Sequence, residues 1–194
     1  MFNDRLTGSV NEAENIALKL IGDEPTSVSM TGRIEDKIYK NGVLVETRVG
    51  HNLIVNSFLK LVMCLIKGQT GYSGIQYWAV GSGNPSWDSS VPAPDENATR
   101  LVSEIGRVPI LPNEISFLDS SFSVTTTPSN IIQISHTFEA NDCNGTWREF
   151  GIFGGNATAT ANSGIMINNR HHAVLTKTNE MVIERTMRFT INLA

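Results

Sequence analysis

Polar residues thin out between Asn52 and Lys67, where the chain reads NLIVNSFLKLVMCLIK ahead of Gly68. At about 100° per residue, Asn56, Ser57, Lys60, Cys64 and Lys67 fall in one narrow stripe, and apolar side chains cover the remaining arc. The pattern predicts a helix over residues 52–67, with Asn52 as N-cap and Gly68 supplying the left-handed residue that ends it. A helix that apolar must be enclosed by other elements. Elsewhere the period changes to two, so the expectation is one central buried helix wrapped by sheet.

The strands follow from the alternation. SVSMTGRI and KIYK lead into Asn41-Gly42, and VLVETRV follows, the strongest short hairpin signal in the chain. IQYWAV (residues 75–80) has little polar interruption and reads as a strand buried on both faces. Residues 84–97 form a Pro-, Ser- and Asp-rich loop, residues 98–105 suit a short helix, and 108–111 and 115–124 suit strands. In the second half, Ile132, Ile134, His136 and Phe138 share one strand face. In TWREFGIFGG, alternation sends Phe150 and Ile152 one way, Trp147 and Phe153 the other. The last strand puts Met181, Ile183, Met187, Phe189, Ile191 and Leu193 on one face, and Arg185 breaks the pattern by standing among them. A buried guanidinium needs a partner. Glu149, which has the same difficulty on its own strand, is the candidate to pair with Arg185.

Ahead of the strands, Ser9 and Glu12 have capping-box spacing, and Val10, Ala13, Ala17 and Leu20 recur at helical intervals. The expected organisation is an N-terminal helical segment over residues 1–24 and a β-sandwich-like domain over 25–194. The apolar stripe of that helix is too thin to nucleate a core, so Val10, Ala13, Ala17 and Leu20 form a candidate interface, as does Trp87, placed exposed on the long loop.

A net charge of -4 with no Lys/Arg run argues against nucleic acid, whose phosphates need clustered cations. The apolar stretch falls short of the roughly 20 residues of a membrane span. The start lacks the basic and apolar regions of a secretion signal, and Cys64 and Cys143 imply no disulfide framework. These features point to folding in a reducing cytoplasm.

Candidate chemistry is sparse. His136, Cys143, His171 and His172 lack the spacing of a metal site, and His171-His172 reads as a solvated strand or turn. Gly71-Tyr-Ser73-Gly74 misses the nucleophile-elbow spacing and precedes a strand where the elbow follows one. Gly81-Ser82-Gly83 lacks the later glycine of a dinucleotide fingerprint. The expectation is no catalytic residue, no metal and no cofactor. A hydrolase, needing a pair of the scattered carboxylates, is the distant alternative. Trp87 with nearby Asp and Asn suits carbohydrate, which keeps a glycan- or receptor-binding module as the nearer one.

Several phrases follow one another in a telling order: NLIVNSFLKLVMCLI, IQYWAVGSG, TRLVSEIGR, REFGIFGG, GIMIN, and Lys177-Thr178 before IERTMRFTINL. The series, from about Val49 to Leu193, resembles tailed-bacteriophage virion proteins: tail-fibre attachment domains and related baseplate or tail components. The resemblance implies a non-enzymatic structural component of a phage or phage-tail-like particle, assembled in the host cytoplasm and residing in the virion. It implies a homo-oligomer, a trimer or a ring, with contacts to other virion proteins; a host surface glycan is the partner of the receptor-binding alternative, and charge and the short apolar stretch leave no nucleic-acid or membrane partner expected.

Overall fold

The computed structural model describes residues 28–193, and the expected helix with its candidate interface residues Val10, Ala13, Ala17 and Leu20 lies outside them. Met30–Ile191 form one compact unit, to which the description below refers. Its elements in chain order are β1 (Val28–Lys40), β2 (Val43–Ile54), α1 (Ser57–Lys67), β3 (Ser73–Gly81), β4 (Glu104–Pro109), β5 (Ile115–Leu118) and β6 (Val124–Thr125). β7 (Ile131–Phe138), β8 (Gly145–Gly155), β9 (Ile165–Lys177) and β10 (Met181–Leu193) follow.

The β1–β2 turn obeys the sequence. Asn41 and Gly42 both take positive φ, 48° and 78°, as a type I′ turn demands. All ten strands join one antiparallel sheet in the order β4-β3-β8-β9-β2-β1-β10-β7-β5-β6. Hydrogen bonding runs unbroken through it, where the sequence suggested two separate sheets. The sheet curls on itself, bringing Trp78 of β3 and Trp147 of β8 edge-on against Phe138 of β7 at 6.5 and 5.1 Å. β2 joins the halves: residues 32–40 of β1 pair with 43–52, and only Leu53 and Ile54 continue onto Asn169 and Asn168 of β9.

That pairing explains why the helix starts late. Residues 52–54, assigned to the helix by their apolar run, are drawn into β2, and α1 begins at Ser57. Asn52 is therefore no cap. Asn56 stands at the cap position with helical dihedrals and caps nothing; its amide donates to Asn97 Oδ1 at 2.9 Å. The far end is as expected: Gly68 is left-handed (φ 66°), and the amides of Gly68 and Gln69 close a Schellman motif on Leu65 and Cys64.

The enclosure of α1 is the main departure. Aromatic and aliphatic side chains of the strands fill the curl themselves, so the helix rests outside, against β9. Only Leu61 is buried, while Leu59, Met63 and Ile66 are 64%, 62% and 74% exposed. No helix among the described residues is long and apolar enough to cross a membrane.

Two further corrections come from register. An irregularity between Trp147 and Glu149 shifts the phase of β8, so Trp147 joins Phe150 and Ile152 in the main core and Phe153 faces the opposite side. There Phe153 meets Val55, Ala79, Leu101 and Met166 in a second, smaller cluster. Residues 98–103 are loop rather than helix, because the backbone is claimed by contacts to β8 described below.

Candidate functional site

The long loop between β3 and β4 covers one face of the sheet, and β8 holds it there with two adjacent charged residues. Glu149 is fully buried. Its carboxylate accepts from three backbone amides: Ser103 at 2.8 Å, Gly83 at 3.2 Å and Val102 at 3.0 Å. A carboxylate facing three amides has its lone pairs used without any cation. Arg148 makes a two-pronged pair with Asp88 at 2.6 and 2.8 Å and donates to Ser82 O at 3.0 Å. That guanidinium holds the Asp88 carboxyl below the usual carboxylate range. The expected pairing of Glu149 with Arg185 is therefore not made: backbone amides, not a guanidinium, satisfy Glu149.

Arg185 lies in the main core and pairs with Asp36 of β1 at 2.7 and 2.8 Å. Four rings surround its guanidinium, those of Trp78, Phe138, Trp147 and Phe150, with centroids 4.1–5.6 Å away. Asp36 was legible in principle: it shares the buried phase of β1 with Ile34 and Ile38, an acid on an apolar face just as Arg185 is a base on one.

Trp87 is half-buried, not exposed as the loop composition suggested. It lies in a 3-10 turn, Pro85–Asp88, capped by Asn84 Oδ1. A Cβ on Gly83 would come within 2.5 Å of its ring, so the absence of a side chain there lets the indole lie flat on the loop. Its other neighbour is the His171 ring, tilted 31° at 4.1 Å. His171 Nδ1 lies 3.1 Å from the carbonyl of Pro92. The expected solvated His171-His172 pair is instead structural: both rings belong to β9, and burial pushes the His172 imidazole down to about 4.

Where loop 95–102 passes over β9 it leaves a cleft of about 410 Å³, lined among others by Asp95, Asn97, Arg100, Leu101, Asn169 and His171. Asn169 is buried, and among the described residues its Oδ1 has no hydrogen-bond partner, nor has His171 Nε2. The lining sets an acid and a base, Asp95 and Arg100, beside amide and imidazole side chains, a polar cleft of small-ligand size. Asn169 escaped sequence reasoning because only the pairing of β9 with β2 brings it under the loop.

Nothing in the cleft forms a nucleophile–base pair. The thiol of Cys143 lies in the β7–β8 turn, where burial pushes it up to about 11, and His136 is held by Glu114 at 2.7 Å. Among the described residues no group of three His, Cys, Asp or Glu side chains has the arrangement of a metal site. Set against known proteins, the chain matches no family model and no curated sequence.

Proposed function

We propose that the chain is a non-enzymatic structural component of a tailed-phage or phage-tail-like particle, self-assembling and joining tail, baseplate or fibre parts. The two halves of the curled sheet act as the layers of a sandwich-like module, made in the host cytoplasm and carried in the virion. The family reading rests on the resemblance carried by the ordered motifs from Val49 to Leu193, and one structural observation supports the assembly role: the outward face of α1. Leu59, Met63 and Ile66, spaced as one helical stripe, stand in solvent. Apolar patches of that kind mark surfaces that another protein covers.

The occupant of that face is a second copy in a head-to-tail contact. The charged residues of α1 are Lys60 and Lys67, with no acid, so a self-facing pair would set lysine against lysine. The chain as a whole carries -4, which gives the lysines acidic surface to meet elsewhere on a neighbour. Head-to-tail contacts close into a ring where the rotation between neighbours closes, and a trimer or ring is what the resemblance implies. Multi-angle light scattering and electron microscopy test it: wild type forms a closed ring or trimer, and Met63→Glu/Ile66→Glu stays folded without closing one. A double variant assembling as wild type does, or a wild type lacking any closed ring at high concentration, would refute the contact.

A glycan-binding module is the second reading, and the cleft at Asn169 is the observation in its favour. Saccharide hydroxyls both donate and accept, which suits a cleft lined by Asp95, Asn97, Arg100, Asn169 and His171. Binding on a glycan array that disappears in Asn169→Leu would put this reading ahead.

A further inference from the structure

On the outer face of the sheet, β1 and β10 lie side by side. Ile34, Asp36 and Ile38 take the core side of β1, and Met187 and Phe189 that of β10, so alternation sends Arg33, Glu35, Thr186 and Arg188 outward. These four, with Ile34, line a pocket of about 200 Å³. Elsewhere in the chain Arg48, Arg107, Arg148 and Arg185 each grip a carboxylate with two donors. Arg33 and Arg188 grip none. Among the described residues the side chains of Arg33 and Glu35 make no hydrogen bond, and Arg188 makes only a long one, 3.5 Å to Gln133 Oε1. Glu35 shares the pocket and is paired with neither guanidinium.

Phe122, in the β5–β6 turn, flanks the Arg188 guanidinium, its ring centroid 4.1 Å from Cζ. It holds a left-handed φ of 63°, which so bulky a side chain takes only under constraint. Asp119 supplies the constraint: its carboxylate accepts from the amides of Ser121 and Ser123 at 2.8 and 2.9 Å, and its carbonyl from that of Phe122 at 2.9 Å. The ring is 52% exposed, so core burial does not account for its place. What it does is stack on a cation that has no acid, fixing the plane of the donors. Two guanidiniums and one carboxylate leave the pocket one positive charge in excess, which a single carboxylate balances and a phosphate dianion overshoots. Glu35 only accepts, so it calls for hydroxyl donors on the same molecule; an acidic protein side chain would bring a carboxylate without them. We infer that this pocket binds a hydroxylated monocarboxylate of the sugar-acid class, its carboxylate on Arg33 and Arg188 and its hydroxyls donating to Glu35. The site is separate from the cleft at Asn169 and from the face of α1, and it stands without either.

The full chain is titrated with D-glucuronate, glucose, acetate and sulfate at concentrations on the order of 10 mM, and binding is followed by calorimetry and amide NMR shifts. Glucuronate should bind at least about tenfold tighter than glucose, which lacks the carboxylate, and than acetate, which lacks the hydroxyls. Sulfate, an anion without donors, should bind no better than acetate. Arg33→Gln and Arg188→Gln should each weaken glucuronate by about fivefold or more, and Glu35→Gln should narrow its advantage over acetate. Phe122→Gly separates recognition from folding: glycine suits the left-handed position, so Tm should hold, while loss of the ring should weaken binding about threefold. Asn169→Leu should leave glucuronate binding unchanged. A glucuronate-ended disaccharide that binds as well as the monomer would identify the end of a glycan chain as the source, and a monomer that binds alone a free acid. Glucuronate held no tighter than glucose or acetate, sulfate held tighter than glucuronate, arginine variants that bind as the parent does, or a loss confined to Asn169→Leu would each overturn the inference.

Discussion

Asparagine at position 36 keeps the shape of the aspartate and removes the charge that faces Arg185. The guanidinium is fully buried and its partner nearly so, and both bonds to the carboxylate are short, 2.7 and 2.8 Å. Breaking such a pair from one side leaves a charge buried without compensation, which costs about 3–5 kcal/mol. The four rings remain in place and offset about 1–2 kcal/mol of it. Asp36→Asn should therefore lose about 3 kcal/mol and lower Tm by about 6–12 °C for a chain of this size. Replacing both members, Asp36→Leu/Arg185→Met, removes the uncompensated charge and should recover most of that loss, giving a coupling above about 2 kcal/mol. Glu149→Gln combined with Arg185→Met should show coupling within about 0.5 kcal/mol, as expected of sites with separate partners. Urea titration followed by tryptophan fluorescence suits the measurement, because Trp78 and Trp147 form two walls of the box. An Asp36→Asn variant within 1 kcal/mol of wild type, or a coupling larger for Glu149 than for Asp36, would refute the reasoning.

Two further perturbations separate burial from composition. Leu61→Ala should cost about 2–5 kcal/mol by opening a cavity, whereas Ile66→Ala, on the exposed side of the same helix, should stay within about 0.5 kcal/mol; chemical denaturation with equal losses would show α1 to be enclosed after all. His172 gives a pH signature: its ordinary value is 6.5 and burial in the fold brings it to about 4, so between those values the unfolded chain binds the extra proton. Stability should fall as pH drops from about 6.5 toward 4 and this contribution should level off below, and His172→Gln should flatten that part of the pH–Tm curve; an unchanged curve would place its cause in other groups.

Local rules sufficed wherever the backbone needed only its own residues. Asn41-Gly42 makes the hairpin turn because both positions need positive φ, and Gly68 ends the helix for the same steric reason. The alternation in the last strand places Met181, Ile183, Met187 and Phe189 in the core, and it singles out Arg185 as a buried charge needing a partner. Pattern could flag Asp36 as an acid in the buried phase of β1, but it could not pair it with Arg185. Asp36 lies 149 residues earlier, and only the neighbouring of β1 and β10 in the sheet brings the two together.

The tertiary structure decided three things that composition pointed the wrong way on. Periodicity measures how apolar a helix is, not whether space remains inside the sheet; here the strand aromatics occupy the curl, and α1 keeps an apolar face outside. A loop rich in Pro, Ser and Asp looks mobile, yet Glu149 and Arg148 bind its backbone and its aspartate, and Trp87 is folded down onto Gly83. The cleft at Asn169 exists because the β3–β4 loop passes over β9 where β9 pairs with β2. Which strands meet, and where they separate, depends on how the whole sheet closes over its core, a property that no single stretch of the chain carries.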